Sequence, residues 1–270
     1  MKIGLVMAAW NAARTIEYAI KSVVYQTATN WTLVIVNDGS TDGSAQLADR
    51  YIQARYKQWG HRIFGLWLEH GGLAQAVNAG AQFLARTPNA PETIGCLAAD
   101  DLLDKTYVEE ITTALEAHPM APCAYSRVGE FGDRTGFWDP GDYRVGVLAH
   151  KNIVPGCAVW RRRVWDKLHG FDERFRYGLE DWHLAARAEA EGYVGPFSKP
   201  VFVPTTTYWH RAHKASLSAR MSPDYETWAK QQIAALFPAA AQQLPDAPLV
   251  TPTAVGPIVR GPFALYPEET

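Results

Sequence analysis

Across the first 120 residues, short apolar runs of strand length alternate with segments of helical period, and that rhythm constrains the chain more than any other feature. Residues 3–9 (IGLVMAA), 32–36 (TLVIV), 62–68 (RIFGLWL) and 94–99 (IGCLAA) read as four strands. Between them Ile16, Ala19, Ile20, Val23 and Val24 fall on one helical face. Leu47, Ala48, Tyr51, Ile52 and Arg55 mark a second helix from Ser44, and Leu73, Ala76, Val77, Gly80 and Leu84 a third over 72–86. Strands that are apolar throughout belong in a sheet covered on both faces. Regular strand–helix alternation predicts βαβ units, hence an α/β fold with a parallel sheet and helices on both sides.

The rhythm changes after about residue 120. APCAYSRV (121–128) reads as a further strand, 129–150 as a loop or irregular hairpin, 161–168 and 181–191 as helices, and 193–203 as strand-like. A last helix is expected over 223–237, and 238–270 is an extended proline-rich tail. The expected division is therefore one domain over 1–218 and a C-terminal helix with its tail over 219–270. The formal net charge is −2 with no basic block, so nucleic-acid binding has no electrostatic support. Cys96, Cys123 and Cys157 lie far apart in apolar surroundings and read as reduced core thiols. No apolar run reaches the roughly 18 residues that span a bilayer, and no secretory leader is expected. A cytoplasmic enzyme is the expectation, with peripheral membrane association compatible with it.

Four groups of residues carry chemistry. Asn37-Asp38-Gly39-Ser40 follows the second strand, at the strand end where open parallel sheets bind ligands. Asp38 can accept from a base N–H or a ribose hydroxyl there, or close a plain Asx turn. Asp100-Asp101 closes the fourth strand; adjacent carboxylates beside an apolar strand repel one another, and a divalent cation relieves that. The alternative is a helix cap, since a helix follows near Lys105. Glu180-Asp181-Trp182 opens a helix, where the macrodipole favours acidic residues and where a carboxylate facing a cleft can act as a general base. Neighbouring helical residues point about 100° apart, so only one of the two carboxylates is expected to face the reacting centre. Trp209-His210-Arg211-Ala212-His213 supplies two imidazoles and a guanidinium, able to bind a diphosphate through Arg211 or to complete a metal shell.

Taken in order, these pieces resemble the inverting family 2 glycosyltransferases of the GT-A fold. The resemblance rests on Trp10-Asn11, Ser22-Val23 with Gln26-Thr27, NDGSTDGS at 37–44, GLAQAVNAG at 72–80 and the Asp-Asp pair. PGCAVWRR at 155–162, GFDE at 170–173, EDW at 180–182 and HRAH at 210–213 complete it, over residues 1–218 or so. It implies a mixed, mainly parallel sheet in a Rossmann-like GT-A arrangement. It also implies a nucleoside site at Ala8, Ala9 and Asn11 with Asp38 reading the base, and Asp100 near the ribose. Asp101 would ligate Mn²⁺ or Mg²⁺, with His213 on the metal or the diphosphate. Asp181 would be the catalytic base, with Glu180 beside it and Gly156 and Trp182 on the acceptor side. Asn37 stands where the family has Asp, Thr32 where Glu is common, and Ala8-Ala9 where a Pro-Thr pair is usual.

The implied reaction is metal-dependent sugar transfer from a nucleotide-diphosphate donor, a UDP- or dTDP-sugar favoured, to a glycan or other hydroxyl acceptor with inversion. Two competing readings are a nucleotidyltransferase and a non-catalytic sugar or nucleotide binder. The first needs a glycine-rich basic phosphate loop, and AAWNAAR (8–14) has no glycine. The second is disfavoured by the presence of Asp101 and Asp181.

Overall fold

A computed structural model describes residues 1–59, 62–214, 216–217 and 220–237. Strand β1 (Ile3–Ala9) leads through α1 (Ile16–Val24) to β2 (Trp31–Asp38), then α2 (Ser44–Trp59), β3 (Ile63–Leu68), α3 (Leu73–Ala85) and β4 (Thr93–Ala98). These strands pair in parallel in the order β3-β2-β1-β4, as the alternation predicts. Side-chain period 2 then splits their apolar residues between two cores. Ile3, Leu5 and Met7 of β1 with Leu33 and Ile35 of β2 face α1 and α4 (Tyr107–Ala117). Val6, Val34 and Val36 face α3, and the same core continues to α6 (Glu180–Ala190). At Gly80 a Cβ would sit 2.4 Å from Val6 and 2.9 Å from Val36, so α3 lies on the sheet at a distance only glycine allows.

Beyond β4 the sheet turns mixed. It continues through β8 (Val159–Arg161), β6 (Cys123–Gly132), β9 (Val201–Ala212) and β5 (Leu102–Leu103). β8 runs antiparallel to both β4 and β6, whereas β6 and β9 are parallel. A hairpin strand β7 (Gly136–Trp138) pairs with β6, and α5 (Arg162–Lys167) follows β8. The strand expected over 193–203 starts later and runs on to Ala212. Its pairing with β6 slips between Val203 and Thr207, so Pro204, Thr205 and Thr206 bulge out. Proline cannot donate to a ladder, which explains where the slip falls. The His-Arg cluster, expected to follow a strand, instead begins inside β9. β5 and β8, two and three residues long, carry too little pattern to read. Helix α7 (Pro223–Ala234) places Ala229 and Ile233 in the same core as α6, and Trp228 packs on Phe175 at 5.1 Å. The expected tail over 238–270 and Ser218 of the His-Arg region lie outside the described residues. Among the described residues no helix is long and apolar enough to cross a membrane.

Candidate active site

The carboxyl ends of β1, β2 and β4 open into a cleft of about 1490 Å³. Its lining includes Ala8, Ala9, Asn11, Asp38, Asp100, Asp101, Gly156, Glu180, Asp181, Arg211 and His213, so residues far apart in sequence converge there.

The end of the cleft beside β1 and β2 is built from two crossing loops. Asn11 adopts φ 49°, and its side-chain carbonyl accepts from Thr41 N at 2.9 Å. The amides leading into α1 are spent on the neighbouring loop: Asn11 N donates to Ser40 Oγ, Ala12 N to Ser44 Oγ and Ala13 N to Asp42 Oδ2. Asp38 is only 3% exposed. Its carboxylate accepts from Gly71 N at 2.8 Å, Gly72 N at 3.0 Å and His70 Nδ1 at 2.8 Å. Asp38, expected to read the base, thus spends its acceptors on holding the 70–72 turn. Gly72 at φ 97° lets that turn form. The group left facing outward is Trp10, 41% exposed and stacked on His70 at 4.5 Å, with the Arg220 guanidinium 5.5 Å from its ring centre. His70 lies outside every motif read from the sequence, and the pairing of Trp10 with it escapes such reading because it exists only across the β1 and β3 ends.

The acidic pair divides into two environments. Asp101 is 3% exposed and fully engaged. Its Oδ1 accepts from Arg211 N at 2.7 Å, and its Oδ2 from Tyr208 Oη at 2.7 Å and from His210 Nδ1 at 3.2 Å. Asp100 keeps about a third of its side chain exposed, and its Oδ2 lies 2.9 Å from His213 Nε2. Burial and the neighbouring Asp101 charge push the Asp100 carboxyl up, against the pull of His213. The hydrogen bond to Asp101 raises His210. Arg211 Nε donates to the Asp100 carbonyl at 3.0 Å, and its guanidinium lies 4.5 Å over Phe131. Among the described residues no three His, Cys, Asp or Glu side chains gather into a metal cage. Asp100 and His213 nevertheless form a two-donor edge beside the cleft. That set suits a hard cation that takes its other ligands from phosphate oxygens and water.

Across the cleft, Leu179 in the left-handed region (φ 68°) turns the chain into α6. Glu180 and Asp181 both line the cleft. Asp181 Oδ1 accepts from Trp182 N at 2.7 Å and Oδ2 from Asn152 Nδ2 at 3.0 Å. Burial pushes Asp181 up, and the Trp182, Asn152 and Gly156 donors oppose it. Glu180, 7% exposed, is pushed up to about 8 by burial and by the Asp181 charge, and its Oε2 has no partner. Like-charge repulsion in this buried pair favours keeping one of the two carboxyls protonated, and the donors to Asp181 favour charge on that side. Trp182, expected on the acceptor side, is 8% exposed and donates through Nε1 to the Leu148 carbonyl at 2.8 Å. It anchors α6 in the core and does not line the cleft.

Comparison with known proteins gives the family and the fold. A family model described as glycosyl transferase family 2 matches residues 5–188. EpsE of Bacillus subtilis is 36% identical over 208 residues, 72% of this chain and 69% of that protein. Glycosyltransferase GlyA of Streptococcus pneumoniae is 27% identical over 263 residues, 90% of this chain but 34% of that protein, so this chain spans about a third of its length. Among solved structures, S. aureus TarS in complex with UDP-GlcNAc superposes with TM-score 0.66 at 14% identity, covering 87% of this chain and 66% of that one. The mannosyltransferase PcManGT from Pyrobaculum calidifontis, in complex with GDP-Man and Mn²⁺, gives 0.59 at 17% identity, covering 89% and 72%. These likenesses show the GT-A fold, and the family match over most of the chain places it, as a member, in glycosyl transferase family 2.

Proposed function

We propose that the chain transfers a sugar from a nucleotide-diphosphate donor to an acceptor hydroxyl, with inversion at the anomeric carbon. The observation that carries this reading is the meeting, in one cleft, of the Asp100–His213 edge and the buried, hydrogen-bonded carboxylate of Asp181.

The nucleobase lies on the exposed Trp10 ring, which His70 stiffens from behind by stacking. Stacking tolerates any base, so the preference for a uridine or thymidine diphosphate sugar needs a direct test. TarS, for comparison, is seen with UDP and with UDP-GlcNAc, and PcManGT with GDP-Man. Asp100 and His213 would hold a divalent cation, Mn²⁺ or Mg²⁺, and that ion would supply charge neutralisation at the departing diphosphate. This assigns the metal to Asp100 where the sequence pointed to Asp101, because Asp101 already serves three protein donors. Arg211 stands beside the same phosphates through its contact with the Asp100 carbonyl.

Asp181 acts on the other side of the reacting carbon. The acceptor oxygen bonds to the anomeric carbon as the bond from that carbon to the diphosphate oxygen breaks. The acceptor proton passes to Asp181, and the electron pair leaves with the nucleoside diphosphate. A carboxylate raised by burial and kept anionic by its donors accepts that proton better than an ordinary one. Gly156 leaves room at this point: a Cβ there would touch Asp181 Oδ2 at 3.7 Å.

The first test is a melting-temperature screen with uridine, thymidine and guanosine diphosphates, with and without Mn²⁺, followed by turnover on pooled nucleotide sugars. Ligand linkage makes a binder visible as a metal-dependent shift. Absence of any shift and of any nucleotide release would remove this reading. A guanosine compound winning by tenfold would remove the pyrimidine preference.

A further inference from the structure

Two donors hydrogen-bond to the Asp181 carboxylate, and they differ in kind. One is the backbone amide of Trp182. The other is the side chain of Asn152, whose Nδ2 donates to Oδ2 at 3.0 Å. The Asn152 amide is itself oriented, because its Oδ1 accepts from Val154 N at 3.1 Å. With the oxygen committed to the backbone, only the NH₂ group can point at Asp181. The segment carrying Asn152 is tied at its far end, where Tyr107 Oη donates to the Cys157 carbonyl at 2.6 Å. Asn152 thus reaches α6 from a loop 29 residues away in sequence. It lines both the cleft and a shallow depression formed with His150, Lys151 and Lys230 on the outer side.

We infer that Asn152 is a positioning residue for the transfer proposed above: its amide fixes the Asp181 carboxylate in one rotamer and keeps it in the proton-accepting form. The inference rests on the reading of Asp181 as the base. The other titratable groups near Asp181 are Glu180 on the same helix, Cys96 of β4 and Cys157 beside Gly156. Burial pushes both thiols up, so they stay neutral, and burial with the Asp181 charge pushes Glu180 up as well. None of them supplies a positive charge. Hydrogen bonds to the charged form are therefore what oppose the desolvation of Asp181. Asn152 is the one side chain among those donors, hence the one that substitution can remove without rebuilding the backbone.

The test uses the whole chain with ¹³C-labelled aspartate carboxyls, titrated by NMR. Asp181→Asn identifies the Asp181 signal by its loss. Asn152→Ala removes the donor, and Asn152→Asp keeps the volume while replacing the donor with an acceptor. The titration midpoint of Asp181 is expected to move to higher pH in both variants. A folded variant of either kind with an unmoved midpoint overturns the inference, and this readout needs no substrate. In parallel, UDP release is followed from whichever UDP-sugar of a panel is hydrolysed fastest, with water as acceptor. The acid limb of kcat is expected to shift to higher pH, with kcat near pH 6 down roughly tenfold and donor KM little changed. Equal effects on kcat and KM with an unmoved limb would mean a merely structural role and would overturn it as well. The base reading fails separately, if Asp181→Asn turns over like the unmodified chain.

Discussion

Substituting the two adjacent aspartates one at a time separates their roles. Asp101→Ala leaves the buried Tyr208 Oη and the half-buried Arg211 N without an acceptor. His210, about a third exposed, can turn to water. One buried donor orphaned at about 1–3 kcal/mol, with a smaller cost at Arg211 N, gives about 2–4 kcal/mol of lost stability. For a chain of this size that corresponds to a melting temperature lower by roughly 10 °C. Asp100→Ala removes a single contact to His213, itself about a third exposed, and relieves the repulsion between the two aspartates, so its melting temperature should stay within about 2 °C of the parent. Calorimetric titration with UDP reverses the order. Asp100→Ala should lose the gain in affinity that Mn²⁺ confers, whereas Asp101→Ala, measured below its melting range, should keep part of it. An Asp101→Ala protein of unchanged melting temperature that has lost the Mn²⁺ effect, beside an Asp100→Ala protein that retains it, would refute the assignment.

Other outcomes are open to direct measurement. Asp181→Asn should lower single-turnover rate by roughly 10²–10⁴ while donor affinity stays nearly constant, because a base acts in the transition state. Turnover of the unmodified chain should rise with pH through a limb above the ordinary carboxylate range, since burial raises Asp181 and only its ionised form accepts the proton. Trp10→Ala should weaken UDP binding by roughly 5- to 150-fold in equilibrium titration, the equivalent of one stacked base at about 1–3 kcal/mol; an unchanged Kd would move the nucleobase elsewhere. His183 is buried, stacked on Phe175 and depressed to about 4 by burial and Arg187. The unfolded chain binds its proton below about 6.5 and the folded chain does not, so stability falls as pH drops from that value towards 4. Chemical denaturation of His183→Gln across that window should show a flatter pH slope than the parent, and parallel slopes would exclude His183 as the cause.

The first half of the molecule was legible because its strands are apolar throughout and its helices periodic, so β1 to β4 and their parallel pairing followed from pattern. The second half was less so. β8 is three residues long and reverses the sheet direction, and the β9 bulge hides a long strand behind Pro204. The convergence of motif residues on one cleft followed from their strand-end positions. Their division of labour did not, because it depends on who donates to whom. Asp100 and Asp101 differ by one residue, yet the closing end of β9 seals one and leaves the other open. Asn152 lies in a stretch without period, and nothing local marks it as a partner of residue 181.

The loop contacts around Asn11 bear on how the two halves of the chain would share the proposed donor. In many nucleotide-binding sheets the free amides after the first strand cradle phosphate. Here the amides of Asn11, Ala12 and Ala13 are stoppered by Ser40, Ser44 and Asp42. On the function proposed above, the N-terminal half would hold the nucleoside, and phosphate recognition would fall to Arg211 and His213 at the end of β9. A donor would then bridge two parts of the chain that meet only in the finished fold, so that its affinity would report on the integrity of both.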